Sequence, residues 1–209
     1  MSRFGYPVTL DLEGRPCFVV GGGMIAERKA TGLLAAGARV TVLSPSLSPA
    51  LMRLATDGRL AWRPRSFSAG DTAGFVLVMV ATDDGMANAA VAAEAREHRA
   101  LVNCADDPDR CDFILPALLH RGPVTVAVST GGVSPAMARL VRDELAALLP
   151  AEWSALAGLV ADVRQGLRQR GLSLDGERWR RALDGELRRL VASGRSTEAR
   201  RRLLEGLGV

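Results

Sequence analysis

The sequence predicts an α/β fold, a parallel sheet with helices on both faces, followed by a small α+β segment and a helical C-terminal module. Three observations carry this. Strand-like and helix-like patterns alternate from residue 16 to about residue 104. A glycine-rich stretch, "VVGGGMIAERKA", joins the first strand to the first helix. From Pro150 onward only helical spacing is present, broken near Gly171–Gly176 and Ser193–Ser196.

"PCFVV" reads as a buried strand, because a short apolar β-branched run stops at glycines. "MIAERKATGLLAAG" has apolar residues at helical spacing and ends on glycine. "ARVTVL" is the next strand, "SPALMRLATDG" the next helix and "RLAWRP" a third strand. After a polar loop come "FVLVMVA", the helical "DDGMANAAVAAEAREHR" and the strand "ALVN". Beyond residue 112 the pattern changes. "DFILPALL" and "VTVAVST" are strand-like, with "HRGP" as the turn between them. "SPAMARLVRDELAALL" then reads as a helix with Ser134 as N-cap and Pro135 in its first turn.

At 209 residues the chain can bury a sizeable core, and 48% apolar with 24% charged residues suits a globular protein. The longest apolar run, Phe75 to Ala81, is too short to span a bilayer. Asp11 and Glu13 stand where an export signal would be apolar. Three cysteines (Cys17, Cys104 and Cys111) make no disulfide framework, so a cytoplasmic location is expected. Residues 1–150 carry 15 basic and 15 acidic side chains, residues 151–209 carry 12 and 8, and the net charge of +4 therefore sits in the tail. That surplus reads as a solvated amphipathic surface or as an arginine face for a polyanion. No aromatic platform accompanies the arginines, and no nucleic-acid or membrane partner is expected.

Lys29 is the only lysine and Tyr6 the only tyrosine, far apart in the chain, which excludes a Tyr-x-x-x-Lys dehydrogenase site. His98 and His120 are the only imidazoles, and His98 reads as a surface residue at a helix end. Gly21, Gly23 and Ala26 fit G-x-G-x-x-A between strand and helix. The first glycine permits the turn, the second admits a pyrophosphate and the alanine lets helix pack on strand. The acid that would hold the ribose hydroxyls is missing, for the second strand ends in "TVLSPSLSP". That leaves NAD against NADP open, and Arg53, Arg63 and Arg65 lie too far along the chain to be assigned to a 2′-phosphate.

The segment "LVNCADDPDRCDF" begins at a strand end, where α/β folds place ligands. Asp106, Asp107, Asp109 and Asp112 crowd into seven residues, close enough to perturb one another. They read either as a solvated acidic turn or as the source of a general base, with Asp106 the best placed. Cys104 and Cys111 have no second cysteine pair, so no metal ligand is assigned. Ser129, Thr130, Gly131 and Gly132 precede a helix start, with Arg139 in reach, and read as an anion site or simply as a well-capped helix.

With these pieces in order, the chain resembles the precorrin-2 dehydrogenase / sirohydrochlorin ferrochelatase family, which also forms the N-terminal part of bifunctional siroheme synthases. The matching stretches are "VVGGGMIAERKATGLLAAGARVTV", "VATDDGMAN", "VNCADDPDRCDFILPALLHRGPVTVAVSTGG" and "SPAMARLVRDELAALLP", in family order over about residues 6–150. The resemblance implies a Rossmann-like NAD-binding domain at 1–113, a dimerisation segment at 114–149 and a helical module at 150–209. It implies NAD-dependent oxidation of precorrin-2, a tetrapyrrole with eight carboxylates, to sirohydrochlorin, with Fe2+ insertion in some members. Asp106 would be the catalytic base. The dinucleotide would be held by Gly21, Gly23, Met24, Ile25, Pro45, Ser46, Thr82 and Asp83. The tetrapyrrole would meet Ser129, Thr130, Gly131, Gly132 and Arg139, and the chain would be a homodimer. Two other readings stay open: a dinucleotide-sensing domain without catalysis, and a chelatase alone.

Overall fold

The structure, a computed structural model, describes residues 3–105 and 107–209; Met1, Ser2 and Asp106 lie outside the described residues. It forms two compact units, the first ending at Leu115 and the second starting at Pro116.

In the first unit the elements run β1 (Pro16–Val20), α1 (Met24–Ala35), β2 (Arg39–Leu43), α2 (Pro49–Thr56), β3 (Ala61–Arg63), β4 (Leu77–Val80), α3 (Gly85–Glu97) and β5 (Leu101–Cys104). All strand pairs are parallel, and the order across the sheet is β3-β2-β1-β4-β5. Period-two alternation sorts the strand side chains onto two faces. Cys17, Val19, Val40, Val42, Leu77 and Met79 pack with Ala26, Ala30 and Leu33 of α1 and Leu51 of α2. On the opposite face Phe18, Val20, Val78, Val80 and Val102 pack with Val91, Ala92 and Ala95 of α3. Both faces are covered, which is why these strands read as continuous apolar runs rather than as alternating ones.

Two helices of this unit, α2 and α3, start at side-chain caps. Ser48 takes the Leu51 N–H ahead of α2, and Asp84 takes those of Met86 and Ala87 ahead of α3. After β3 the chain must cross to the far side of β1, and Asp71 fastens that crossover. Its carboxylate, only 6% exposed, accepts from Arg63 at 3.1 Å, from Arg65 at 2.6 and 2.5 Å and from the Ser68 N–H at 2.9 Å. Arg63 also lies over the stacked Phe18 and Phe75 rings.

In the second unit β6 (Ala117–Arg121) and β7 (Val124–Val128) form an antiparallel hairpin on which α4 (Pro135–Leu148) packs. The expected strand over "DFILPALL" starts only at Ala117. Asp112 is tied to β5 by accepting the Val102 N–H, Phe113 by its carbonyl to Asn103, and Pro116 has no N–H to give a ladder. The turn is also shorter than "HRGP". His120 and Arg121 pair with Thr125 and Val124, leaving a two-residue loop at Gly122–Pro123 with Gly122 at φ +56°. Ser134 caps α4 through the Met137 N–H, with Pro135 in the first turn as expected.

The rest is α5 (Glu152–Gln169), α6 (Gly176–Ala182), α7 (Gly185–Ala192) and α8 (Ser196–Leu207) around a core of Leu156, Val163, Leu167, Leu187, Ala199, Leu203 and Leu207. A break at Leu183–Asp184, absent from the sequence reading, starts α7 by letting Asp184 accept the Leu187 N–H at 2.8 Å. Six of the tail arginines pair with acidic neighbours, among them Arg180 with Glu177 and Arg202 with Asp184. The solvated-surface reading of the tail charge accounts for these six.

The Arg65 guanidinium, with the Ser68 N–H and the Arg63 charge, holds the Asp71 carboxyl below its usual range against the upward push of burial. A depressed carboxylate stabilises the fold above its unfolded pKa of about 3.9, and this contribution disappears as pH falls through the lower folded value. Asp71→Asn is expected to cost about 1–3 kcal/mol in urea unfolding at pH 7. The gap to the parent should shrink steadily on acidification; a pH-independent gap would show that the carboxylate charge is not what fastens the crossover.

Candidate functional site

The glycine loop leaves β1 between β2 and β4, and backbone on both sides sets the width. A Cβ on Gly21 would lie 2.2 Å from the Ala81 carbonyl oxygen, and φ there is +123°, open only to glycine. A Cβ on Gly22 would lie 1.8 Å from the Ser46 carbonyl oxygen. Gly23 is different. Its φ of −84° and ψ of −171° suit any residue, and a Cβ there meets no described heavy atom within 4 Å. The chain's own packing therefore gives no reason for glycine at 23.

A ligand does. Gly23 is the N-cap of α1, and no side chain caps that end. The first-turn N–H groups and the positive end of the helix dipole open on a cleft of about 450 Å3 at the carboxyl ends of β1, β2 and β4. The sheet order reverses between β1 and β4, so this is the switch point where open α/β sheets bind ligands. The residues fit a dinucleotide: an unblocked approach at Gly23 for the pyrophosphate and a crevice continuing toward the end of β2 for the adenosine.

Of the residues carried over by resemblance, Gly21, Gly23, Met24, Ile25, Pro45, Thr82 and Asp83 line the cleft. Ser46 does not line it; its carbonyl backs Gly22 instead. Thr82 donates to Asn88 Oδ1 at 2.5 Å, which steadies the turn after β4. Sequence reasoning missed Arg65, Ser66 and Phe67, which line the cleft from the segment after β3. Arg65 lies far along the chain from β1, but β3 pairs in parallel with β2 and brings its end beside that of β2.

The acidic segment follows β5, and Asp106 lies outside the described residues. Its three described neighbours each meet an arginine: Asp107 meets Arg110, Asp109 meets Arg3 at 3.2 Å and Asp112 meets Arg96 at 3.0 Å. The crowding of like charge is offset by these partners. Beneath the segment, Lys29 reaches from α1 with only 7% of the residue exposed and donates to Asn103 Oδ1 at 2.5 Å. Asn103 in turn donates to the Phe113 carbonyl at 2.9 Å, and Cys111 Sγ lies 3.2 Å from both the N and the O of Cys104. The two ends of the segment are thereby closed on one buried network. Burial pushes the Cys104 thiol up to about 11, which leaves it an inert packing group. Among the described residues no three His, Cys, Asp or Glu side chains gather as a metal site.

In the second unit the "STGG" turn is tied to itself. Thr130 Oγ1 accepts from the Ser134 N–H at 3.0 Å, and Ser129 Oγ accepts from the Gly131 N–H at 3.1 Å. Gly131 and Gly132 take φ values of +64° and +91°, and Arg139 is exposed one turn into α4. His120, exposed on β6, meets Thr125 Oγ1 at 3.0 Å. His98, at the end of α3, meets Thr72 Oγ1 at 2.8 Å.

Comparison with known proteins agrees with this geometry. Residues 8–117 match a family described as "Putative NAD(P)-binding", and residues 121–148 match one described as "Sirohaem biosynthesis protein central". The chain belongs to the family described as "Putative NAD(P)-binding", which spans more than half of it. It is 45% identical over 201 residues to the siroheme synthase of Methylococcus capsulatus, covering 95% of this chain and 42% of that protein. It is 42% identical over 204 residues to siroheme synthase 1 of Serratia proteamaculans, covering 96% and 43%. The chain thus spans less than half the length of these relatives. The solved structure of SirC, precorrin-2 dehydrogenase, matches with a TM-score of 0.77 at 26% identity, covering 98% of this chain and 99% of that one. No single helix among the described residues is long and apolar enough to cross a membrane.

Membership of an NAD(P)-binding family makes Gly21 and Gly23 separable by experiment. Gly23→Ala should fold with a loss within about 1 kcal/mol, the cost of a poorer N-cap, while its Cβ blocks the pyrophosphate and dinucleotide affinity falls at least about tenfold. Gly21→Ala should lose both, because the Ala81 backbone cannot yield. Thermal melts paired with calorimetric titration separate the two cases. Normal dinucleotide binding by Gly23→Ala would contradict the assignment of that gap to the ligand.

Proposed function

We propose that the chain oxidises precorrin-2 to sirohydrochlorin with NAD+. The observation that carries this reading is the open helix start at Gly23, combined with the continuous likeness to SirC over both units. Bound NAD+ supplies the hydride acceptor and leaves as NADH. The Gly23 gap and the N–H groups at the start of α1 hold the pyrophosphate, and the ends of β2 and β4 direct the two nucleosides. Asp106 accepts the proton released as the macrocycle gains a double bond, acting as general base. The Lys29–Asn103–Cys111 network holds the described chain on either side of that residue in sequence. Ser129, Thr130, Gly131, Gly132 and Arg139 meet the substrate carboxylates, the Arg139 guanidinium pairing with an anion and the turn giving it a close approach to the backbone.

Three finer points belong to the same proposal. The chain is a homodimer: Val133, Met137, Leu140 and Leu148 of the α4 segment are 81%, 55%, 60% and 74% exposed, an apolar surface suited to a second copy. Fe2+ is a second substrate, inserted into the oxidised macrocycle, with Asp106 taking the pyrrole protons. The protein works in the cytoplasm, consistent with three buried free cysteines.

The test is anaerobic incubation of the purified chain with precorrin-2, with and without NAD+, followed by Fe2+. NAD+-dependent formation of sirohydrochlorin is expected, and Asp106→Ala should lower its rate at least about a hundredfold while NAD+ affinity stays near the parent value. Tight NAD+ binding without turnover would leave a sensing domain. Fe2+ insertion without any oxidation would leave a chelatase.

A further inference from the structure

We propose that the first unit carries a second ligand site, at the edge of the sheet opposite the dinucleotide cleft, for an organic anion with an apolar body. Arg15 and Arg99 bind its charged group. The site shares no lining residue with the cleft and does not depend on the dinucleotide reading.

A cavity of about 530 Å3 opens at the amino ends of β1, β4 and β5, where Arg15 precedes β1, Val76 precedes β4 and Leu101 begins β5. The dinucleotide cleft lies at the carboxyl ends of the same sheet. Leu10, Leu12, Phe75 and Val76 give the cavity an apolar wall, and the exposed Leu101 extends it. Arg15 and Arg99 line it against a single acid, Asp11, which accepts the Glu13 N–H at 3.1 Å. Among the described residues neither arginine side chain has a hydrogen bond or an ion pair. The cavity is therefore cationic, with two uncommitted guanidinium groups beside apolar surface.

Arg99 is held there against a backbone cost. It follows α3 at φ +59°, the one positive φ outside glycine among the described residues. Helices α1, α2, α5 and α7 reach the same position with Gly37, Gly58, Gly171 and Gly194, at φ between +69° and +76°. A side chain strains this turn, and glycine closes it without strain. The closure itself needs no arginine. The Arg99 N–H returns to the Arg96 carbonyl and the Ala100 N–H to the Ala95 carbonyl, both at 2.9 Å. Strain of this kind marks a side chain with a task, and the described residues give this guanidinium none. Its place is nevertheless fixed through its neighbour His98. Thr72 Oγ1 gives its proton to Glu94 at 2.6 Å, so His98 Nδ1 donates to Thr72 at 2.8 Å and anchors the end of α3. Guanidinium groups pair with carboxylate or phosphate, and the apolar wall selects an anion that carries a hydrocarbon or aromatic body.

The test is fluorescence titration of the purified chain with 8-anilinonaphthalene-1-sulfonate, an aromatic anion of this class, with and without NAD+. Binding should be unaffected by NAD+ and at least about tenfold tighter than that of the uncharged N-phenyl-1-naphthylamine. Arg99→Gly should weaken the sulfonate at least about tenfold yet raise Tm by about 2 °C, because the contact is lost while the strain is relieved. Arg15→Gln should weaken it by a similar factor. Octanoate or octyl phosphate should displace the probe, and the tighter of the two identifies the charged group. Displacement by neither, displacement by NAD+, or unchanged sulfonate affinity in both variants overturns the proposal. A lowered Tm in Arg99→Gly also overturns it, since the arginine would then serve the fold. Should the variants not fold, the two probes decide on the parent alone, and equal affinities overturn it.

Discussion

The narrow exit of β1 is the constraint on which the rest depends. β1 is hydrogen-bonded to β2 on one side and β4 on the other, and the chain must turn away from both without room for a side chain. Gly21 and Gly22 satisfy that requirement against the carbonyls of Ala81 and Ser46. With the turn so tight, α1 begins at once and lies back on the sheet through Ala26, Ala30 and Leu33. A helix start without a side-chain cap is then left at the carboxyl edge of the sheet, beside the crevice that the strand order creates. Architecture and ligand site are two consequences of one backbone arrangement.

The same helix connects the cofactor loop with the acidic segment. Lys29 lies six residues beyond Gly23, and its ammonium crosses to Asn103 at the end of β5. A buried cation is costly unless polar groups meet it, so the position of α1 and that of the β5 end are mutually dependent. The only lysine of the chain thus has a structural task that ties the dinucleotide end of the cleft to the segment carrying the aspartates. That task is consistent with the absence of a Tyr-Lys pair.

Much of this was legible in the sequence because it is written in local chemistry. The strands of the first unit are short apolar runs between turn residues, and the helices open on Ser48, Asp84 and Ser134, caps that depend on residues within one turn. The Gly21 and Gly23 spacing marks the loop for similar reasons. What stayed hidden depends on contacts between distant segments. Arg65 reaches the cleft only because β3 pairs with β2, and the Lys29–Asn103 bond spans 74 residues. The late start of β6 follows from the tether of Asp112 and Phe113 to β5, which no pattern within "DFILPALL" announces. The break before α7 was signalled by Asp184-Gly185, a short cue within a helical run. Asp106, the residue favoured as base, is supported by position in the chain and by resemblance.

The central claim is that the gap at Gly23 and the uncapped start of α1 receive the pyrophosphate of a dinucleotide. A crystal structure of the chain with NAD+ tests it most directly. The account predicts pyrophosphate oxygens within about 3 Å of the backbone N–H groups at the start of α1, with the adenosine directed toward Ser44 and Pro45. A dinucleotide bound away from this helix start, or a Gly23 region still open with NAD+ present elsewhere, would contradict it.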